Sequence, residues 1–215
     1  MKFLPFEIKN GSTNMKIDKE LLENAIAKNE QEHIFRLYGW APKCISLGRN
    51  QKSDFLDLKF LKENNIDLVK RLTGGRALFH DKELTYSYIC PVSGLKHGDS
   101  IIESYKEISQ IFIDKFKTLG IELEFGDKKQ SNFNINYCMQ VATGADLCYN
   151  GKKLIGSAQL RKNNYILQHG SILFDYNLNL LEKLFKEQID RNHITCIKEI
   201  NENLSFTDIL NLWNW

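Results

Sequence analysis

Asn150-Gly151 narrows the folds open to this 215-residue chain more than any other feature. Both residues tolerate the positive φ of a type I′ turn, so the flanking segments must fold back as a two-residue β-hairpin. Asn163-Asn164 carries a weaker form of the same signal. Together the two turns predict a three-strand meander over residues 146–174. In its middle strand the period of two sets Lys153, Ser157 and Gln159 on one face, and Gly156 leaves room for close backbone approach. With a two-residue second turn, Ser157 lies opposite Gly170 and Gln159 opposite Gln168. A basic residue, a hydroxyl and two amides on one sheet face suit a polar head group. The same register sets Cys148 directly across from Lys153.

A second constraint lies upstream, at Arg71-Leu-Thr-Gly-Gly-Arg-Ala77. A strand-like run over residues 66–72 breaks at Gly74-Gly75, and an alternating run over residues 77–92 follows. Adjacent glycines permit positive φ and let a ligand lie against the backbone. Lys70, Arg71 and Arg76 gather positive charge there, with His80 and Asp81 a few residues on. Taken alone, the segment reads as a tight hairpin turn with solvated basic flanks.

Around these segments, Asn14 is expected to cap a helix bearing Ile17, Leu21, Ala25 and Ala27. Strands are expected over 33–38 and 43–48, and a helix from Ser53 to about Asn64 with Phe55, Leu58 and Leu61 inward. Ser100 and Glu103 have capping-box spacing, and Ile101, Tyr105, Ile108, Phe112, Phe116 and Leu119 form a helical stripe ending at Gly120. A strand is expected over 121–125, a polar loop over 126–136, a helix through Leu178, Leu181, Leu184 and Phe185, and an apolar terminus over 212–215.

Composition excludes several classes. A net charge of +2 gives no reason to expect nucleic acid or an anionic membrane as partner, although local basic clusters suit a small acidic protein. No apolar run approaches the roughly 18 residues of a membrane span. The first residues are too soon charged for a signal peptide, so the expected location is cytoplasmic. Five cysteines without CxxC spacing argue against a disulfide framework or zinc ribbon, and the scattered histidines predict no metal site. Walker A and GxGxxG motifs are absent. One domain over residues 1–215 is expected.

The two constrained segments share a resemblance. Arg71-x-Thr-Gly-Gly-Arg-Ala77 with His80-Asp81 and Glu83-Leu-Thr-Tyr-Ser87, followed by Gly151-Lys-Lys-Leu-Ile-Gly-Ser-Ala-Gln159 and Gln168-His-Gly-Ser171, resembles the family of lipoate–protein ligases and octanoyltransferases. The resemblance implies an α/β chain of the α+β type: a mixed, largely antiparallel sheet flanked by helices, shared with biotin ligases. It also implies acyl transfer to a lysine of a lipoyl carrier domain. The implied substrate-binding residues are Arg71, Thr73, Gly74, Gly75, Arg76, Ala77, His80, Gly156, Ser157, Ala158, Gln159, His169, Gly170 and Ser171.

The family holds two chemistries. Ligases activate free lipoate with ATP and show a third glycine where this chain has Arg76. Transferases take octanoate from acyl carrier protein through a cysteine thioester, and Cys138 followed by Asp146-Leu147 and Gly151-Lys-Lys153 is similar to their pattern. The resemblance thus assigns the nucleophile to Cys138 and its partner to Lys153. A free thiol is only about 3% thiolate at pH 7, and an ammonium that lowers its pKa to about 7 raises that roughly fifteenfold. Donors for the tetrahedral oxyanion supply more, about 2.7–4 kcal/mol each; backbone N–H groups near Gly74-Gly75, or Lys153 itself, are the candidates.

The implied activity is octanoyl transfer from octanoyl–acyl carrier protein to a lipoyl carrier domain, of the glycine cleavage H protein or a dehydrogenase E2 component. The expectation is that no cofactor is required and that the protein is a monomer. The alternatives are an ATP-dependent lipoate–protein ligase, using ATP and Mg, and a non-catalytic lipoyl-domain-binding subunit. The family's Pro-Ser-x-Tyr-Glu-like run after the cysteine is here Ala142-Thr-Gly-Ala-Asp146, and its Arg-Arg pair is Lys70-Arg71. The short chain weighs against a self-sufficient ligase.

Overall fold

A computed structural model of the chain describes residues 1–127 and 135–213. In chain order the elements are β1 (Lys2–Lys9), α1 (Gly11–Ala27), β2 (Ile34–Trp40), β3 (Cys44–Leu47), α2 (Leu58–Glu63), β4 (Asp67–Lys70), β5 (Leu78–His80) and β6 (Glu83–Pro91). They continue with α3 (Ile101–Lys117), β7 (Glu124–Phe125), β8 (Leu147–Tyr149), β9 (Lys152–Lys162), β10 (Tyr165–Leu173), α4 (Leu178–Phe185), α5 (Ile197–Ile200) and α6 (Phe206–Asn211). A 3-10 turn at Cys138–Gln140 proves important below.

Among the described residues, seven strands form one sheet in the order β1-β2-β6-β10-β9-β8-β7, parallel only at the β1–β2 pair. A smaller sheet, β4-β3-β5, is parallel at β3–β4 and antiparallel at β3–β5. The expected mixed, largely antiparallel architecture with flanking helices is the one observed.

The meander β8-β9-β10 forms as its turns require: φ is 50° at Asn150, 72° at Gly151, 48° at Asn163 and 60° at Asn164. Ser157 pairs with Gly170, Gln159 with Gln168, and Cys148 with Lys153, as the turn lengths dictate. The expected common face does not survive. Leu147 pairs with Ile155 while the next residue, Cys148, pairs with Lys153, so Leu154 is an extra residue and β9 is bulged there. The bulge flips the alternation. Lys153 joins the face of Gly156, where an added Cβ would lie 3.0 Å from Lys153 Cε. Ser157 and Gln159 turn the other way, to Tyr86 and to Ser104 of α3.

α3 covers that other face, burying Ile108, Phe112 and Phe116 against Tyr86, Leu84 and Ile155; each fully buried side chain of this kind contributes about 1.5–3 kcal/mol. Ser100 accepts from Glu103 N and caps it, but Ile101 at the start of the stripe stays exposed. α1 and the small sheet lie on the opposite face. α1 begins earlier than expected: Asn10, not Asn14, is the cap, accepting from Thr13 N. Its inward residues are Asn14, Asp18, Leu22 and Ala25 rather than an all-apolar stripe, because buried polar partners await them. α2 is shorter than expected, capped by Asp57, with Leu58 exposed. The run over 77–92 divides at Asp81-Lys82 into β5 and β6, which belong to different sheets. Only the last two residues of the expected 121–125 strand pair, as β7. Residues 128–134 of the expected 126–136 loop, and 214–215 of the apolar terminus, lie outside the described residues.

Candidate active site

The segment carrying Cys138 is held by backbone bonds to the residues after the double glycine. Ala77 N donates to Asn136 O (3.0 Å) and Cys138 N to Ala77 O (2.8 Å). This places the Cys138–Gln140 turn against the Gly74-Gly75 loop. Lys153, 1% exposed, reaches the same turn from β9. Its Nζ lies 3.7 Å from Cys138 Sγ and donates to Cys138 O (3.1 Å), Val141 O (3.0 Å) and Asp146 Oδ2 (3.0 Å). Three oxygens occupy the three donors of an ammonium, so Lys153 meets the sulfur chiefly as a charge. Burial alone pulls its pKa down, but the charges of Asp146 and Cys138 outweigh that and raise it. Lys153 is therefore a fixed cation at neutral pH, not a proton acceptor. Asp146 is itself fixed: it accepts from Thr143 N, Thr143 Oγ1 and Ser157 N.

The double-glycine loop owes its shape to Arg71. This buried guanidinium donates to Gly74 O (2.7 Å), Arg76 O (2.8 Å), Ser46 O (3.0 Å) and Thr73 Oγ1 (3.1 Å), stapling the loop from beneath. Gly75 has φ +94°, and a Cβ there would lie 2.9 Å from Arg71 Nη2, so the loop demands glycine on both counts. Arg76 does not face the opening with its Nε, which donates to Ile135 O at 2.9 Å.

A buried polar chain backs the site. Asp18 Oδ1 accepts from Arg36 and Ser87; Oδ2 accepts from Tyr38 and meets His169 Nδ1 at 3.4 Å. His169 Nε2 lies 2.7 Å from Thr73 Oγ1. Burial pushes the Asp18 carboxyl up, but the hydrogen bond and charge of His169 and the charge of Arg36 win and hold it below its usual value. Farther along, His80 bridges Ser46 Oγ (2.8 Å) and Glu83 Oε1 (3.1 Å) and stacks on Trp40 at 3.9 Å. Burial lowers the His80 pKa, which keeps the ring neutral near pH 7. Thr85 and Ser171 supply the other bonds to Glu83.

Between this chain and the Cys138 turn lies a mostly apolar cavity of about 470 Å³ including its open mouth. Cys138, Gly75, Trp40, Leu78, Ala158 and His169 are among its lining residues.

The structure thus brings Cys138, Lys153, Arg71, Thr73, Gly74, Gly75, Ala77, Gly156, Ala158, His80 and His169 together around one loop and one cavity. Ser157 and Gly170 reach it along the strand backbone, while the Ser157 hydroxyl bonds Tyr86 on the far face. Gln159 faces α3, and Ser171 bonds Glu83 behind the cavity. Cys148, though opposite Lys153 in register, lines a different cavity beside Gly126 and His193, and burial pushes its thiol up to about 11. Sequence reasoning missed Asp18, Trp40, Tyr38 and Glu187. Asn14 and Asp18 at i, i+4 on the line of Leu22 and Ala25 were a readable sign of a polar buried stripe. Among the described residues no cluster of His, Cys, Asp or Glu has the makings of a metal site, and no helix is long and apolar enough to cross a membrane.

A double-glycine loop and a hairpin lysine meeting a cysteine beside an apolar cavity define a class of protein that comparison makes definite. Residues 10–213 match the lipoyl protein ligase A/B catalytic domain, and the chain belongs to that family. Among curated relatives, Octanoyltransferase LipM of Staphylococcus epidermidis is 39% identical over 193 residues, 85% of this chain and 69% of that protein. Octanoyltransferase LipM of Macrococcus caseolyticus is 39% identical over 180 residues, 80% of this chain and 65% of the relative. The chain therefore spans about two thirds of the length of these relatives. A solved lipoate-protein ligase A bound with ATP superposes with a TM-score of 0.75 at 21% identity, covering 98% of this chain and 81% of that one, a likeness of fold.

Proposed function

We propose that this chain is an octanoyltransferase, taking octanoate from octanoyl–acyl carrier protein through a Cys138 thioester to a lysine of a lipoyl carrier domain. The observation that carries the reading is Cys138 Sγ at 3.7 Å from the buried Lys153 ammonium, beside an apolar cavity. The match to curated octanoyltransferases supports it.

The Cys138 thiol loses its proton to water, the thiolate attacks the donor thioester carbon, the tetrahedral anion collapses, and the carrier's sulfur leaves as a thiolate that takes a proton from water. The amine of the acceptor lysine, having lost its proton, then attacks the Cys138 thioester, forming the amide and releasing the Cys138 sulfur. Lys153 supplies fixed positive charge in both halves. Its proton stays in place, so it stabilises negative charge on the sulfur and on the tetrahedral anion without accepting a proton. The cavity holds the acyl tail, and backbone N–H groups of the Gly74-Gly75 loop serve as donors to the oxyanion. The donor thioester is already activated, so the transfer needs no nucleotide or metal. The acceptor is a lipoyl domain of a glycine cleavage H protein or dehydrogenase E2 component, and the chain acts as a monomer.

The test is intact mass after incubation with octanoyl–acyl carrier protein in nucleotide-free buffer. One octanoyl group should appear on the enzyme and pass to an added apo lipoyl domain. Transfer that occurs only with ATP and free lipoate would overturn the reading in favour of a ligase; binding of the lipoyl domain without either transfer would leave a carrier-binding subunit.

A further inference from the structure

We infer that Glu187 is a positioning residue for Cys138, the anchor of a splint over residues 187–195 that sets the distance between the nucleophile and Lys153. The inference rests on the reading of Cys138 as the acylated thiol, and it extends that reading to a residue outside both sequence motifs.

The Cys138 turn has little regular structure of its own: a short 3-10 turn and a single bridge at Ala77–Tyr137. Glu187 supplies what the ladder does not. Its Oε2 accepts from Asn136 N (2.9 Å) and its Oε1 from Tyr137 N (2.9 Å), so one carboxylate holds both amides just before the cysteine. Bonds of this charge-assisted kind are roughly twice as strong as neutral ones. On the other side of the cysteine, Gln140 donates to Gln188 O (3.2 Å) and accepts from Asp190 N (2.7 Å). The segment then runs on to β9. Lys153 N donates to His193 O (2.9 Å) and Thr195 N to Lys153 O (3.0 Å).

One continuous stretch of chain therefore grips the cysteine turn at one end and the lysine backbone at the other. Arg76 braces the turn independently, through Ile135 O. The chain reaches Glu187 by a left-handed residue, Lys186 at φ 52°, which ends α4 and turns the carboxylate back toward residues 136–137. Loss of the splint frees the turn to drift, and the sulfur loses its fixed cation.

The test reads the thiol directly, without donor or acceptor. Carbamidomethylation of Cys138 by iodoacetamide is followed by peptide mass across pH 5–10 for wild type, Glu187→Ala, Glu187→Gln and Lys153→Met. Glu187→Ala should slow alkylation at pH 7 by about tenfold and move its rise to higher pH, since misplacement by about 1 Å suffices for such losses. Glu187→Gln, with one acceptor oxygen left, should fall between. In a Lys153→Met background Glu187→Ala should change the profile little, because the cation it aligns is already gone. A wild-type profile in both Glu187 variants, or an equal effect with and without Lys153, would overturn the inference. Should Glu187→Ala not fold, Glu187→Gln and Gln140→Ala, which removes the splint's other grip on the turn, carry the test. A shifted alkylation profile in a protein that transfers no octanoate would sink the proposed function while leaving the splint in place.

Discussion

Lys153 and Asp146 form a buried pair whose two members act on the Cys138 thiolate with opposite sign, and removing them singly or together separates their contributions. At an effective dielectric of about 20, charges 3.7 Å apart attract by about 4.5 kcal/mol. The 3.7 and 3.0 Å legs put the Asp146 oxygen no more than 6.7 Å from the sulfur, so it repels the thiolate by about 2.5 kcal/mol or more. The pair as a whole therefore favours the thiolate by no more than about 2 kcal/mol, a factor of about 30. Lys153→Met alone removes the attraction and leaves the repulsion, because Thr143 and Ser157 still satisfy the carboxylate. Adding Asp146→Asn should then restore activity by about tenfold or more. The assay is single-turnover acylation at pH 7 and pH 9, quenched and read by mass. The double variant should remain slower than wild type by more than about 30-fold at pH 7 and should not recover at pH 9, since the fixed charge also serves the tetrahedral anion. A double variant no better than Lys153→Met would refute the electrostatic argument. A loss within about 30-fold that disappears at pH 9 would confine Lys153 to ionising the thiol.

Peptide mapping after incubation with octanoyl–acyl carrier protein should place the adduct on Cys138; Cys138→Ser should abolish turnover and Cys148→Ser preserve it, whereas a thioester on Cys148 would reverse the roles. The Asp18 carboxyl has a folded pKa below its usual 3.8, so its stabilisation is present above that pH and lost as pH falls through the lower folded value. Acid unfolding of wild type and Asp18→Asn should therefore converge below about pH 3.8, and a constant gap between them would contradict the assignment. Lys186→Gly should relieve roughly 1 kcal/mol of left-handed strain and raise Tm by about 2–4 °C, read by calorimetry; an unchanged or lower Tm would deny that strain.

How much of this was legible depended on how local each rule is. The turns at Asn150-Gly151 and Asn163-Asn164 set register correctly, Cys148 with Lys153 and Gln159 with Gln168, because turn chemistry acts over two residues. Facing failed at Leu154, the extra residue of the bulge, which no residue type announces. Arg71 and Arg76 were recognisable in the sequence, but Arg71 spends its donors on the loop it holds and Arg76 spends its Nε on Ile135 O, a fact only the folded backbone supplies. The start of α1 was misjudged because Asn10 and Asn14 are equally good caps on paper; the buried Arg36 and Gly39 carbonyl decide that Asn14 goes inside. Glu187 carried no motif at all, and its role is defined by two amides about fifty residues away.

The stretch that joins Glu187 to Thr195 also dictates when the site can first exist. Chains fold as they emerge, at about 5–20 residues per second. The nucleophile and its cation are both translated well before the segment that binds them together: Cys138 and Thr195 are 57 positions apart, about 3–11 seconds of synthesis. Through that interval the nascent protein carries an ordinary thiol with its neighbour not yet pinned beside it. Acyl chemistry at Cys138 is thereby slowed until residues 187–195 have emerged and closed on the turn.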